Sequence, residues 1–270
     1  MCASAKAHDS RLALWRSVPP MRTLAEGYVL AEAPVAGHEG ELYFSDAVAG
    51  GAFRIGPDGE VTQVIARRRG IGGMALHRDG GLVVTGRTVQ HRDRDLLGQR
   101  PGVTGFNDLG VAPDGTVVAG ALTFNPFRGE DPRPGALFHG ERRIETPQIR
   151  WPNGIGFSPD GTTMYVCDFA DGRVHAGPVG EAPEPWARVP EGSCDGLALD
   201  EDGDVWVAMG PAGGIARFTA EGNVAETLDL RAEFVSSLCF AWGDLVVTTA
   251  TAVVSLPVSV RGCAIPPAYG

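Results

Sequence analysis

Short apolar runs closed by tight turns fill this chain, as in Thr163-Met-Tyr-Val-Cys167, Ser237-Leu-Cys-Phe240 and Asp244-Leu-Val-Val-Thr-Thr249. Runs of four to eight residues bounded by glycine, aspartate and proline predict strands. Amphipathic stretches of ten or more residues with apolar positions three or four apart, the mark of helices, are almost absent. Ile155-Gly-Phe157, the turn Ser158-Pro-Asp-Gly161, the run to Cys167, the turn Ala170-Asp-Gly172 and Arg173-Val-His-Ala176 read as an antiparallel meander. Each turn carries a glycine for the positive φ that tight hairpins need.

Six turns recur in register: Glu39-Gly40, Asp79-Gly80, Asp114-Gly115, Asp160-Gly161, Asp202-Gly203 and Trp242-Gly243. Their glycines are 40, 35, 46, 42 and 40 residues apart, the repeat length of a four-stranded propeller blade. The pattern predicts an all-β fold, a six-bladed β-propeller of four-stranded antiparallel blades. It spans residues 1–270 as a single domain, with 1–22 as an N-terminal extension. The last repeat supplies only three strands, while residues 23–29 precede the first repeat without a blade of their own. Pairing these N- and C-terminal segments closes the ring and hides a sheet edge. Residues 86–103, with His91-Arg-Asp-Arg-Asp95, and residues 124–134 break the meander. Both are read as long loops and candidate lids.

The 38 Gly and 20 Pro agree with many short strands and turns. A formal net charge of -10 disfavours a nucleic-acid partner, because neutralising phosphates needs clustered Lys and Arg. Arg67-Arg68-Arg69 is the only basic run and is read as a solvated loop. No run of 18 apolar residues exists, which argues against a membrane span. The N-terminus lacks a continuous apolar stretch of the secretory type, so a cytoplasmic location is expected. Five scattered cysteines, Cys2, Cys167, Cys194, Cys239 and Cys263, are read as buried free thiols. The six histidines are dispersed, and no G-x-S-x-G, H-E-x-x-H or phosphate-binding glycine loop is present.

Eight residues before each turn glycine stand Glu32, Gly72, Asn107, Asn153, Asp195 and Val235. In a propeller these equivalent positions start the innermost strands and converge on one mouth of the central channel. Two carboxylates and two amide oxygens gathered there suit a hard divalent cation, although Asn and Asp also cap turns. Gly72 and Val235 leave the second and sixth blades open at the mouth, an expected path for substrate.

Four groups of motifs carry a family resemblance: Leu30-Ala-Glu-Ala-Pro-Val35; Gly105-Phe-Asn-Asp108 with Pro113-Asp-Gly115; Trp151-Pro-Asn-Gly-Ile155 with Ser158-Pro-Asp-Gly161; and Cys194-Asp-Gly-Leu-Ala-Leu-Asp200 with Val205-Trp-Val-Ala208. In order and spacing the chain resembles the regucalcin/gluconolactonase family of six-bladed propellers. The resemblance implies a metal-dependent lactonase whose ion is held by Glu32, Asn153 and Asp195. Ca²⁺ stands ahead of Mg²⁺, Mn²⁺ or Zn²⁺. Asn107 contacts substrate or the metal-bound water, and Asp195 serves as general base towards that water. Asp108 is given an ordinary turn role.

Two departures matter. Sugar-lactone members commonly carry arginine where this chain has Gly105, and the next wall, often acidic, reads Leu122-Thr-Phe-Asn125. The pocket is therefore expected to be less polar and to admit a hydrophobic or aromatic lactone. Gly105, Phe124, Asn125, Arg150 and Trp151 would line it, with His91 approaching from the first candidate lid. The expected partner is a small-molecule substrate, with no nucleic acid and no membrane. Lactone hydrolysis leads. An isomerase, lyase or cyclase on the same scaffold, or a non-catalytic Ca²⁺-binding or interaction propeller, are the alternatives.

Overall fold

The computed structural model describes residues 15–269; Cys2, His8 and the rest of residues 1–14 lie outside them. The described residues form six sheets whose innermost strands are Ala31–Ala36, Met74–Leu76, Gly105–Val111, Pro152–Phe157, Leu197–Leu199 and Val235–Ala241. Each sheet is an antiparallel meander running outwards, and each innermost strand contacts the next blade's, so the six close into a ring. All six register glycines occupy positive φ, from 72° at Gly161 to 89° at Gly203. There a side chain would crowd the following carbonyl, which explains the recurring glycine.

The ring closes as the strand count predicts. Arg22–Glu26 pairs antiparallel with Ala252–Pro257 and completes the sixth blade. A second N-terminal strand, Trp15–Ser17, adds in parallel to Val224–Asp229 as a fifth strand of the fifth blade. The Trp15 ring lies against Gly214, where a Cβ would fall 2.2 Å from it. Residues 15–17 of the extension are thus built into a sheet.

Alternating apolar residues lock neighbouring blades face to face. Tyr165, Cys167 and Val174 of the fourth blade pack with Val205, Val207, Ala216 and Phe218 of the fifth. Burying such side chains supplies roughly 1.5–3 kcal/mol each, so the junctions between blades hold the ring. Cys167, Cys194 and Cys239 are free and buried, with Cys263 half-buried.

Two expectations are corrected. Residues 86–103 are not an irregular lid: they contain Val89–His91 and Arg94–Leu97, the outer strands of the second blade. The polar run looked loop-like because an outermost strand faces solvent and needs few apolar residues. Nor is Arg68 merely solvated. Its guanidinium donates to Thr85 O, Thr88 O and Gln90 Oε1, fastening the first blade to the second.

The innermost strands start on one face, here called upper, and end at the register turns on the lower face. Residues 261–269 cross the lower face. Cys263 N donates to Leu199 O in the fifth blade, Ala268 N to Leu76 O in the second, and Tyr269 N to Gly115 O in the third. Because the fifth and second blades are diametrically opposed, this strap passes over the lower end of the channel. Among the described residues no helix is long and apolar enough to cross a membrane.

Candidate active site

At the upper mouth four innermost strands lose their regular pairing. The ladder shifts between Glu32 and Val35, Phe106 and Leu109, Pro152 and Ile155, and Val235 and Ser237. Such bulges leave residues unpaired and re-aim their side chains. Here the displaced stretches carry Asn107, Asp108, Asn153 and Ser236, and the first begins at Glu32. In the first blade the bulge places Ala33 at φ 50°, and its N–H donates to Glu32 Oε2 at 2.8 Å.

At least one hydrogen bond crosses each of the six blade junctions at this level. Ser45 Oγ donates to Ile71 O, Thr85 Oγ1 to Asn107 O, and Asn107 Nδ2 to Pro152 O. Gly154 N donates to Asp195 O, Gly196 N to Ser236 O, and Ser236 Oγ to Ala31 O. Glycines make the close approach possible. A Cβ on Gly154 would lie 2.5 Å from Leu197 N, and one on Gly72 2.6 Å from Asn107 O. Val235 is buried and its backbone bridges to Gly210 of the fifth blade.

Glu32, Asp108, Asn153 and Asp195 are all buried within this ring. Burial, then the charges of Asp195 and Asp108, push the Glu32 carboxyl well above its ordinary range against the pull of the Ala33 N–H. Burial, then Asp108, likewise drive Asp195 up, opposed by a hydrogen bond from Asn153. Asp108 is raised to about 7 by burial alone, against the Leu109 N–H. Three carboxyls from three blades therefore sense one another, and the causes include no neighbouring cation. No three His, Cys, Asp or Glu side chains among the described residues form a metal-binding cluster. What converges is two carboxylates and one amide, with Asp108 beside them.

The remaining candidates divide. Asn107 is half-buried beside the carboxyl group, with its amide committed to Pro152 O. Gly105 opens the third blade, where a Cβ would lie 3.1 Å from Gly86 O. Phe124, Asn125, Arg150 and Trp151 occupy upper-face loops. Phe124 is fully buried, and Asn125 Oδ1 caps the short 3₁₀ helix Pro126–Arg128 by accepting from Phe127 N. The Arg150 side chain reaches Ala170 O at 3.4 Å. His91 is displaced from this group altogether. It ends the third strand of its blade on the lower face, stacks on His77 at 3.6 Å and contacts Gly80 O.

Asp46 and Asp168 escaped the sequence reading. Asp168 Oδ1 accepts from Trp151 N and Oδ2 from Arg150 N, while Asp46 Oδ2 accepts from Val29 N. Each fixes the peptide leading into an innermost strand. Their signal was available as a second repeat, Tyr43-Phe-Ser-Asp46 against Tyr165-Val-Cys-Asp168. Thr85 was missed too; its hydroxyl also accepts from Gly72 N and Gly73 N.

The fold is a six-bladed β-propeller, and the relatives it resembles make it an enzyme of the lactonase type. The chain belongs to the SMP-30/Gluconolactonase/LRE-like family, whose model matches residues 25–251. It is 28% identical over 242 residues to a 6-deoxy-6-sulfogluconolactonase of Pseudomonas putida, covering 80% of this chain and 81% of that one. Among solved structures it resembles a luciferin-regenerating enzyme with TM-score 0.83 at 19% identity, covering 93% of this chain and 100% of the other. A calcium-binding regucalcin from Agrobacterium tumefaciens matches with TM-score 0.79 at 20% identity, over 95% and 99% of the two chains.

Proposed function

We propose that the protein is a metal-dependent hydrolase of a lactone or related cyclic ester, less polar than a sugar-acid lactone. The observation that carries this reading is the gathering of the buried Glu32, Asn153 and Asp195, from the first, fourth and fifth blades, where burial and neighbouring carboxyls raise both acids and Asn153 bonds Asp195. An oxygen-only donor set with two carboxylates fits a hard divalent cation. Glu32, Asn153 and Asp195 would hold it, Ca²⁺ first among the candidates, as the calcium-binding relative supports. Such an ion supplies Lewis-acid polarisation of an ester carbonyl.

The chain's own groups do the rest. Asp195, buried and bonded by Asn153, is the group to take a proton from the attacking water. Water oxygen joins the acyl carbon, the ring acyl–oxygen bond breaks, and the proton ends on the released alkoxide, giving a hydroxy acid. Asn153 steadies the Asp195 carboxylate, and Asn107, held to Pro152 O, is the residue to contact the substrate or the attacking water. Lower polarity is supported by Gly105, whose missing side chain faces a carbonyl, and by Asn125, whose amide oxygen is spent on a helix cap.

Asp195→Asn tests the reading. Turnover of a lactone panel should fall about 10²–10⁴-fold, while chelated wild-type protein should gain thermal stability on addition of Ca²⁺, Mg²⁺, Mn²⁺ or Zn²⁺. Unchanged turnover rejects the base, and no thermal response to any of the four ions rejects the metal.

A further inference from the structure

Around the upper mouth runs an arc of aromatic rings that the hydrolytic chemistry leaves unused. Phe124 meets Trp151 edge-on at 5.0 Å, Trp151 meets Phe169 at 4.7 Å, and Phe169 faces Phe234 at 6.3 Å. Every ring sits at a strand end on the same face as Asn153 and Asp195. Phe124 follows Val117–Leu122, Trp151 precedes Pro152–Phe157, Phe169 follows Thr163–Asp168, and Phe234 precedes Val235–Ala241. The arc thus follows the rim from the third blade to the sixth. The fifth contributes Gly210, where a Cβ would fall 3.3 Å from the Phe169 ring and 3.6 Å from that of Phe234. The missing side chain is what lets those rings come together.

Burial separates the roles. Phe124 is wholly buried and backs Trp151, while Trp151, Phe169 and Phe234 are each half-buried and keep surface exposed. The Trp151 main chain is pinned by Asp168 Oδ1, and Phe169 N donates to Trp151 O, so two rings are fixed to one frame. The Trp151 indole N–H is itself buried and has no hydrogen-bond partner. Buried donors are nearly always paired, and an acceptor brought by a ligand would pair this one. Several polar atoms nearby are already committed. Thr104 Oγ1 donates to Phe124 O, Thr123 Oγ1 to Pro134 O, and Asn125 Oδ1 accepts from Phe127 N.

We infer that Trp151, Phe169 and Phe234 form a subsite for a flat aromatic group, so that the substrate is a lactone fused to or bearing an aryl ring, with an oxygen acceptor bonded to the Trp151 indole N–H. Aromatic groups prefer offset or edge-on contacts with such rings, which the inclined arc offers. The substrate class rests on the hydrolase reading; the subsite itself does not.

Two measurements separate them. Chroman, a cyclic aryl ether with no ester to cleave, is titrated calorimetrically into wild type, Trp151→Phe, Trp151→Leu, Phe234→Leu and Asp195→Asn, with circular dichroism confirming the fold of each. Binding should weaken about tenfold in Trp151→Leu and by a lesser factor in Trp151→Phe and Phe234→Leu, and persist in Asp195→Asn. Turnover of dihydrocoumarin relative to δ-valerolactone, as a ratio of kcat/KM, should fall about tenfold in Trp151→Leu. Chroman that fails to bind wild type, or binds folded Trp151→Leu and Phe234→Leu as well as wild type, overturns the subsite. Chroman binding that depends on Trp151, with no lactone turned over by wild type, supports the subsite and refutes the hydrolase instead.

Discussion

Replacing Asp108 by asparagine should stabilise the metal-free protein, and by an amount that depends on pH in a defined way. Burial pushes the Asp108 carboxyl up to about 7 from the ordinary aspartate value of 3.8. As pH rises through about 4 the unfolded chain loses this proton while the folded chain keeps it. Between about 4 and 7 the folded state binds more protons, so stability falls with rising pH, and the loss is complete above 7. That rise corresponds to an upper figure of about 4 kcal/mol at pH 8 and nothing below pH 4. Asparagine carries no charge to desolvate, and its amide oxygen can still accept from Leu109 N, the bond Asp108 makes at 2.6 Å. Urea unfolding in chelator at pH 4, 6 and 8 should therefore show the variant gaining about 1–4 kcal/mol at pH 8, less at pH 6 and nothing at pH 4. Equal stability of the two proteins at all three pH values would refute the account of uncompensated negative charge. So would a variant less stable than wild type at pH 8.

The ring of junction bonds makes two further predictions. Thr85→Val removes the hydroxyl that accepts from Gly72 N and Gly73 N and donates to Asn107 O; the stranded groups should cost about 1–3 kcal/mol in urea unfolding. Gly154→Ala drives a methyl to within 2.5 Å of Leu197 N and 2.7 Å of Asp195 O. It should cost about 1–3 kcal/mol and weaken the thermal response to Ca²⁺, because the backbone carrying Asp195 has to move.

How far the sequence carries depends on the range of the interactions involved. Strand periodicity and the register glycines are local, so blade number and the closure by Arg22–Glu26 could be read directly. The starts of the innermost strands could be located because counting back from a turn is also local. Asp108 could not be valued, since its high pKa comes from burial against a neighbouring blade, where Gly73 packs on it, a contact the local pattern does not carry. His91 was misplaced because its three-residue strand carries Gln90 and is followed by Arg92 and Asp93, a polar run that the blade's exposed edge tolerates. The strap over the lower channel gave no strand signal either. It is rich in proline and touches the blades through isolated bridges.

The six junction bonds at the mouth have a consequence for evolution. A site assembled from one blade could be copied with that blade when repeats duplicate. Here the carboxyls and the amide come from the first, third, fourth and fifth blades, and their backbones are fastened through the second and sixth. No duplicated fragment carries a working copy. Variation in what the enzyme accepts is therefore freest in the upper loops, where a change of ring or loop length leaves the hoop of hydrogen bonds intact.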